Sequence, residues 1–141
     1  SPEQDVRVLP YLRYTGDCSY DIELQVYIQP QHGVATRVSK SNFKDMYWNV
    51  VQQLAHHTVN GCNVRVGDIM ASGTISGREI GAAGCLLEMT RNGVEPIVLS
   101  DGTNRTFLQD GDTVIMTGFS SSNGRRVGFG EVSGTIVPPV K

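Results

Sequence analysis

The residue whose type and setting most strongly suggest chemistry is Glu88, a carboxylate inside the otherwise apolar run Cys85–Met89. We interpret this run as strand-like. A carboxylate at a core position costs several kcal/mol unless it is paired or hydrogen-bonded, so its charge usually has a use. In a strand, Glu88 would share a face with Leu86 and Thr90, neither of which is a cation. Either an exposed face or a partner from elsewhere must accommodate it, and the residues alone leave both open.

A second candidate is Thr74, which lies in the glycine-rich segment Ala71–Gly77 just before that run. The neighbouring Gly73 and Gly77 allow a ligand to approach the backbone closely and expose amide donors. The Thr74 hydroxyl is then placed to hold a carboxylate group of a ligand. An ordinary strand-to-loop turn explains the same residues, and such turns are more common than binding loops.

The adjacent residues His56 and His57 suggest a metal or acid–base site, but successive helical positions diverge by about 100° and do not face one ion together. We therefore expect packing or capping roles for them near a helix end. Cys62 and Cys85 are interpreted as core thiols, because the sequence around them suggests no activating cation. The sequence shows no complete metal site, phosphate-binding loop or Ser-His-Asp triad.

The elements that must position these residues follow from periodicity. Alternating apolar and polar residues predict a strand over 20–28, and a turn at 30–33 leads to a return strand over 34–38. Apolar residues three and four apart then predict a helix at about 42–60, capped by Asn42 and ended by Asn60–Gly61. Turn pairs separate short runs of Val, Ile, Thr and Phe after Val64, and segments 67–73 and 111–118 both suggest a turn leading into a strand. The expected fold class is mainly β with one principal α-helix.

Length and composition limit the functional classes. A chain of 141 residues supplies one domain with a substantial core. The net charge of −2, with scattered Lys and Arg, gives no electrostatic footprint for nucleic acid. No apolar run is long enough to span a membrane and no signal peptide opens the chain, so we expect a soluble protein. Three widely spaced cysteines favour a reducing cytoplasm, and the opening Ser1–Asp5 is typical of a connector, which predicts a fragment.

Several motifs, in order, resemble the fumarylacetoacetase (fumarylacetoacetate hydrolase) family over nearly the whole chain. They are Pro10-Tyr11-Leu12, Ser41-Asn42-Phe43-Lys44, Met46-Tyr47-Trp48, the segment Gln52–Asn63, Gly67-Asp68, Ala71–Gly77, Leu87-Glu88, Asp110-Gly111-Asp112 and Gly128-Phe129-Gly130. The segment Gln52–Asn63 resembles true fumarylacetoacetases more closely than the related isomerases, decarboxylases and acylpyruvate hydrolases.

The resemblance implies a β-roll or mixed β-sandwich and hydrolysis of the carbon–carbon bond of 4-fumarylacetoacetate to fumarate and acetoacetate, the last step of tyrosine and phenylalanine catabolism. In that family a carboxylate-bound Mg²⁺ or Ca²⁺ polarises the diketone, and a His-activated water attacks it. Glu88 matches the acidic partner of that histidine, and Thr74 matches a residue that binds the substrate's carboxylate. A cytoplasmic homodimer is also implied.

The resemblance further implies that residues 1–141 are the C-terminal part of a catalytic domain. The metal ligands, the base histidine and the oxyanion-stabilising Lys, Arg and Gln belong to a preceding segment, so we expect the chain alone to hold no metal and to be inactive. Arg78 stands where the family usually has Pro, which bears on substrate selectivity. Two alternatives stay open. One is a related oxo-acid hydrolase, decarboxylase or isomerase, and the other is a non-catalytic β scaffold with Glu88 in a structural ion pair.

Overall fold

The structure, a computed structural model, describes residues 3–4, 6–16 and 19–140. Its strands and α-helices are β1 (Glu23–Gln29), β2 (Thr36–Asn42), α1 (Val50–Thr58), α2 (Leu86–Met89), β3 (Ile97–Val98), β4 (Asn104–Arg105), β5 (Thr113–Ser122) and β6 (Arg125–Thr135). Single 3₁₀ turns occur at Pro10–Leu12 and Phe43–Asp45. The prediction of a mainly β fold with one principal helix is confirmed.

Four of the strands form one antiparallel sheet in the order β2-β1-β5-β6, and β3 and β4 form a separate two-stranded ladder. The strands predicted at 20–28 and 34–38 are β1 and β2, each shifted towards the C-terminus by a few residues. Gly33 closes the turn between them by donating its N–H to the Pro30 carbonyl at 3.0 Å. Alternation of side chains therefore located β1 correctly, and the turn after it located β2.

The sheet ends in the long β5–β6 hairpin, which turns at Asn123 and Gly124. Both residues have positive φ, at 50° and 74°, as a tight hairpin turn requires. Segment 111–118 leads into β5 as predicted, but segment 67–73 contains no strand, so that expectation is wrong. The residues of 67–73 are exposed, and a turn motif alone does not make a strand without a neighbour to pair with.

The principal helix is shorter than predicted, at 50–58 rather than about 42–60. Asn42 is the last residue of β2, paired with Glu23, and its side chain caps only the 3₁₀ turn. The true N-cap is Asn49, which accepts from Gln52 N at 2.9 Å while the Gln52 side chain accepts from Asn49 N at 3.2 Å. This reciprocal capping box fixes the helix start.

The helix also buries a different residue from the one that its pattern suggested. Gln52 is 4% exposed, whereas the apolar Val51 and Leu54 are exposed. The Gln52 amide donates to the Leu12 carbonyl at 2.9 Å and to Gln4 Oε1 at 3.0 Å. A satisfied amide at the contact with the N-terminal segment therefore replaces the expected apolar stripe.

A buried ion pair anchors the β4–β5 corner. Arg105 donates from Nε and from an Nη atom to the two carboxylate oxygens of Asp112, at 2.8 and 2.9 Å, and Gln109 N donates to the same carboxylate at 2.9 Å. The Arg105 hydrogen bonds hold the pKa of Asp112 below its usual value, against the opposing effect of burial. The buried apolar residues around the fold are Leu12, Ile28, Ala82 and Leu99. Within the described ranges, no helix is long and apolar enough to cross a membrane.

Candidate active site

Glu88 lies on a short helix rather than in a strand. Residues 86–89 form α2, with Met89 N donating to the Cys85 carbonyl at 3.1 Å and Thr90 N to the Leu86 carbonyl at 2.9 Å. The strand interpretation of Cys85–Met89 is therefore wrong. Leu, Glu and Met have high helix propensities, and the following turn at 91–93 ends the segment after one helical turn.

The loop before α2 is held against the edge of the sheet. Lys40 N donates to the Gly81 carbonyl at 2.9 Å, and Ser39 Oγ donates to the Ala83 carbonyl at 2.7 Å. Gly77 N also donates to the Ala82 carbonyl at 2.9 Å, which closes the loop on itself. These bonds connect β2 with the segment that carries both predicted site residues.

The carboxylate of Glu88 is exposed and not at a core position. Within the described part of the chain, its partner is Ser76, whose Oγ donates to Glu88 Oε2 at 2.6 Å. The carboxylate keeps acceptor capacity for a second donor, because an ionised carboxylate has two oxygens and about four lone-pair positions. Glu88 is therefore a tethered surface carboxylate, and the charge is available to a group that approaches from outside.

Thr74 is also exposed, and it lines a cleft of about 550 Å³. Gly73, just before it, has a φ of +76°, a conformation that glycine adopts without strain. The other residues lining the cleft are Asp45, Met46, Tyr47, Trp48, Gln53, Ser72, Ile75 and Ser76. Ser76 thus connects the two predicted site residues, since it lines the cleft beside Thr74 and bonds Glu88.

Gly84 fixes the relative placement of these groups. Its N–H donates to Ser76 Oγ at 3.0 Å. A Cβ added at Gly84 would lie 2.5 Å from both the Ile75 carbonyl oxygen and Thr74 Cγ2, so only glycine fits there without movement of the loop. The segment carrying Thr74 and Ser76 therefore packs directly on the residue that leads into α2.

Comparison with known families identifies the family of the chain. Residues 13–137 match the model of the fumarylacetoacetate (FAA) hydrolase C-terminal region. The chain belongs to the fumarylacetoacetate hydrolase family. It is 50% identical over 139 residues to a fumarylacetoacetase of Arabidopsis thaliana, covering 98% of this chain and 33% of that protein. Against the fumarylacetoacetase of Homo sapiens the identity is 48% with the same coverage, and against that of Dictyostelium discoideum it is 46% over 99% of this chain and 34% of that protein.

The chain therefore spans about a third of the length of the curated relatives that it matches. The fumarylacetoacetate hydrolase match covers every element from β1 to β6 and both predicted site residues. The resemblance recognised from the motifs is confirmed.

Two residues of the candidate site, Ser76 and Gly84, were not predicted from the sequence. Ser76 stands two positions after Thr74, so in an extended loop the two side chains point the same way. That spacing is a usable signal for Ser76. The role of Gly84 depends on a close approach between segments eight to ten residues apart, which spacing in the sequence does not reveal.

The histidines lie outside this cleft. His56 Nδ1 is 3.0 Å from the Tyr11 hydroxyl, and the two rings stack with their centroids 6.3 Å apart, in keeping with the expected packing role. His57 Nε2 is 3.3 Å from the Cys62 Sγ. Cys62 is exposed, so its interpretation as a core thiol is wrong, and the His57 imidazole lies beside it. Cys85 is partly buried. Cys18 lies outside the described residues.

The described residues of the chain include no group of three or more His, Cys, Asp or Glu that could hold a metal ion. The donor set present therefore does not fit the Mg²⁺ or Ca²⁺ that the family resemblance implies. Arg78, the departure from the family's usual Pro, is exposed and is not among the residues lining the Thr74 cleft. The site built from this chain consists of a carboxylate, two hydroxyls and the backbone that orients them.

Proposed function

We propose that this chain supplies Glu88 and Thr74 to the active site of a fumarylacetoacetase, which hydrolyses 4-fumarylacetoacetate to fumarate and acetoacetate. The observation that carries the proposal is the connection of these two residues through Ser76 at one cleft. The relatives that share 46 to 50% of its residues carry the name fumarylacetoacetase, which supports the same reaction. The step would belong to tyrosine and phenylalanine catabolism.

Glu88 acts in this proposal as the acidic partner of a histidine from outside the chain. One carboxylate oxygen is held by Ser76, and the other is able to accept the N–H of an imidazole. The hydrogen bond would fix the imidazole tautomer with its second nitrogen free to take a proton from water. The negative charge would then stabilise the imidazolium that forms, as a buried aspartate does in hydrolytic triads.

Thr74 binds the carboxylate end of the substrate. Its hydroxyl is an exposed donor at the wall of a cleft of about 550 Å³, large enough for a small organic acid. A hydroxyl-to-carboxylate bond is charge-assisted and therefore stronger than a neutral one. The bond would orient the small-molecule substrate relative to the water that attacks it.

The cation, Mg²⁺ or Ca²⁺, is proposed to take its carboxylate ligands from the part of the family protein that this chain does not span. When bound, it would polarise the diketone oxygens. No described residue of this chain is assigned to it, and residues 1–141 alone are proposed to be inactive. What supports this division is the coverage of only a third of each relative.

A homodimer in the cytoplasm is the proposed state of the whole protein. The edge strand β6 is exposed along its length and presents Val127, Phe129 and Val132, an apolar surface that a second copy is able to cover. The free thiols of Cys62 and Cys85 suit a reducing compartment.

The decisive experiment measures fumarylacetoacetate turnover, with added Mg²⁺ or Ca²⁺, by a protein of family length that contains this chain. We expect Glu88→Gln, which keeps the shape and removes the charge, to lower kcat by about a hundredfold or more. Glu95→Gln is the matched control. Its carboxylate is also exposed, but it pairs with Arg91 at 2.9 Å rather than with Ser76, so turnover should be unchanged.

Each other outcome leads to a different conclusion. Full activity in Glu88→Gln would make Glu88 structural and overturn the mechanism while leaving the family intact. An unsubstituted protein that does not turn over fumarylacetoacetate would favour a related oxo-acid hydrolase, decarboxylase or isomerase, or a scaffold role.

A further inference from the structure

We propose that Ser76 is a positioning residue for Glu88, directed by the Gly84 amide, so that the carboxylate reaches the catalytic histidine in one orientation. The inference rests on the proposed function, because it concerns the same carboxylate. It adds a group that the sequence motifs did not identify. The proposal is based on two consecutive hydrogen bonds, from Gly84 N–H to Ser76 Oγ and from Ser76 Oγ to Glu88 Oε2.

The direction of the Ser76 hydroxyl proton follows from its two neighbours. A serine hydroxyl has one proton to donate and two lone pairs that accept. The Gly84 amide is able only to donate, so Ser76 Oγ accepts from it at 3.0 Å. The ionised Glu88 carboxylate only accepts, so the single Ser76 proton points to Oε2, at 2.6 Å. The short distance is typical of a charge-assisted O–H···O⁻ bond.

This hydrogen bond matters because, within residues 3–4, 6–16 and 19–140, Ser76 supplies the hydrogen bond that orders the Glu88 side chain. Glu88 is exposed on a helix of only four residues, where a glutamate side chain has several rotamers of similar energy. Fixing Oε2 on Ser76 leaves Oε1 as the oxygen that faces a further donor. The enzyme then has less conformational entropy to lose when the imidazole is aligned in the transition state.

The same contacts place Ser76 and Thr74 on one rigid support. Gly84 packs against Thr74 Cγ2 and the Ile75 carbonyl so closely that no Cβ fits. Its neighbour Ala83 is tied to β2 through the Ser39 hydroxyl at 2.7 Å. The distance between the substrate-binding hydroxyl and the carboxylate is therefore set by the sheet through a single short loop.

The test compares steady-state kinetics of Ser76→Ala, Ser76→Thr and the unsubstituted protein, in the family-length protein with fumarylacetoacetate and at matched folded content. Ser76→Ala removes the donor, and we expect kcat to fall by about tenfold to a hundredfold with KM changed by less than about threefold. Ser76→Thr keeps the hydroxyl and should restore most of kcat. Ser100→Ala, which removes a hydrogen-bonded serine hydroxyl from the turn between β3 and β4, is the control.

A second measurement, on the 141-residue chain itself, reads the contact directly. Ser76 Oγ is the acceptor of the Gly84 amide, so hydrogen exchange at Gly84 should speed up in Ser76→Ala and remain near the unsubstituted rate in Ser76→Thr. If Ser76→Ala does not fold, Ser76→Cys takes its place, because a thiol is similar in size and donates weakly. A folded Ser76→Cys should then lose kcat in the same way.

The outcomes separate this inference from the proposed function. Loss of kcat in Ser76→Ala with recovery in Ser76→Thr supports the positioning role. Normal kcat in a folded Ser76→Ala or Ser76→Cys, alongside an active unsubstituted protein, overturns the positioning role and leaves the proposed function in place. An unsubstituted protein without fumarylacetoacetate turnover overturns the proposed function and the positioning role together.

Discussion

Two carboxylates in this chain, Asp112 and Glu88, occupy opposite environments. The Asp112 side chain is 1% exposed and accepts hydrogen bonds from two nitrogens of Arg105 and from the backbone N–H of Gln109. Glu88 is exposed and is held through one oxygen by the Ser76 hydroxyl. The buried carboxylate has its hydrogen bonds satisfied within the fold, so its charge is committed to structure. The exposed carboxylate keeps acceptor capacity, which is what a partner in catalysis needs.

The comparison corrects the reason for suspecting Glu88. A core position for Glu88 would indicate a function, because a buried charge is costly. The structure places the buried charge at Asp112, where Arg105 compensates it, and joins the exposed Glu88 to Ser76, a residue that lines a cleft. In this molecule burial of a charge indicates a structural pair, and incomplete satisfaction beside a cavity indicates the candidate site.

Substitution of each carboxylate by its amide gives the largest expected contrast. Asp112→Asn removes the carboxylate that pairs with the buried Arg105 guanidinium, and we expect the free energy of unfolding to fall by about 3 kcal/mol or more at pH 7. Glu88→Gln changes an exposed side chain and should alter it by less than about 0.5 kcal/mol. Urea unfolding of the chain and its two variants, followed by circular dichroism, measures both values.

Acidification is the internal control for that contrast. The Asp112 pKa is lowered in the folded chain, chiefly by its hydrogen bonds from Arg105, so its stabilising contribution is present above the unfolded value of about 4. That contribution is lost as the pH falls through the folded-state pKa. The stability difference between the unsubstituted chain and Asp112→Asn should therefore shrink in acid. A difference that stays constant down to low pH would mean that packing, and not the charge of Asp112, is responsible.

The sequence predicted the sheet well because its signals are local. Alternation identified β1, and the turn at 30–33 identified the return strand β2. The turn pairs after Val64 marked boundaries between short runs, and the structure places one of them, Asn123–Gly124 with positive φ at both residues, between β5 and β6. The principal helix was located, but its start was misplaced. Asn42 and Asn49 both suit a cap, and only the pairing of Asn42 with β1 decides between them.

The sequence predictions are wrong where tertiary contacts determine the local structure. The apolar Val51 and Leu54 predict a core-facing helix surface, yet the helix packs through Gln52 on the N-terminal segment. A four-residue helix at 86–89 is too short to show a period, so its apolar residues looked like a strand. The bond from Ser76 to Glu88 joins residues twelve positions apart across an irregular loop, and no periodicity predicts it.

Gly84→Ala changes the backbone support of the candidate site without changing its charge. The new Cβ would lie 2.5 Å from the Ile75 carbonyl oxygen and Thr74 Cγ2, so the loop must shift. We expect a loss of about 1–3 kcal/mol in the free energy of unfolding, measured by urea unfolding of the chain. Gly128→Ala in β6 is the matched control, because an added Cβ there meets nothing within 4 Å. Equal stability of the two variants would show that the contact at Gly84 is not tight in solution.

A third carboxylate, Glu23, forms an ion pair with Lys40. Breaking this pair should change the free energy of unfolding least. Lys40 Nζ lies 3.0 Å from Glu23 Oε2, but the two side chains are 51% and 24% exposed, so water and salt screen the attraction. We expect Lys40→Met to lower the free energy of unfolding by less than about 1 kcal/mol at pH 7. The pKa of Glu23 is lowered, first by the Lys40 hydrogen bond, so this contribution is present above the unfolded value of about 4.3 and disappears as the pH falls through the folded-state pKa. Urea unfolding of the chain and of Lys40→Met, at pH 7 and in acid, with and without added salt, measures this contribution. A loss as large as that of Asp112→Asn would contradict the view that burial, and not the mere presence of a charged partner, makes the Asp112 pair structural.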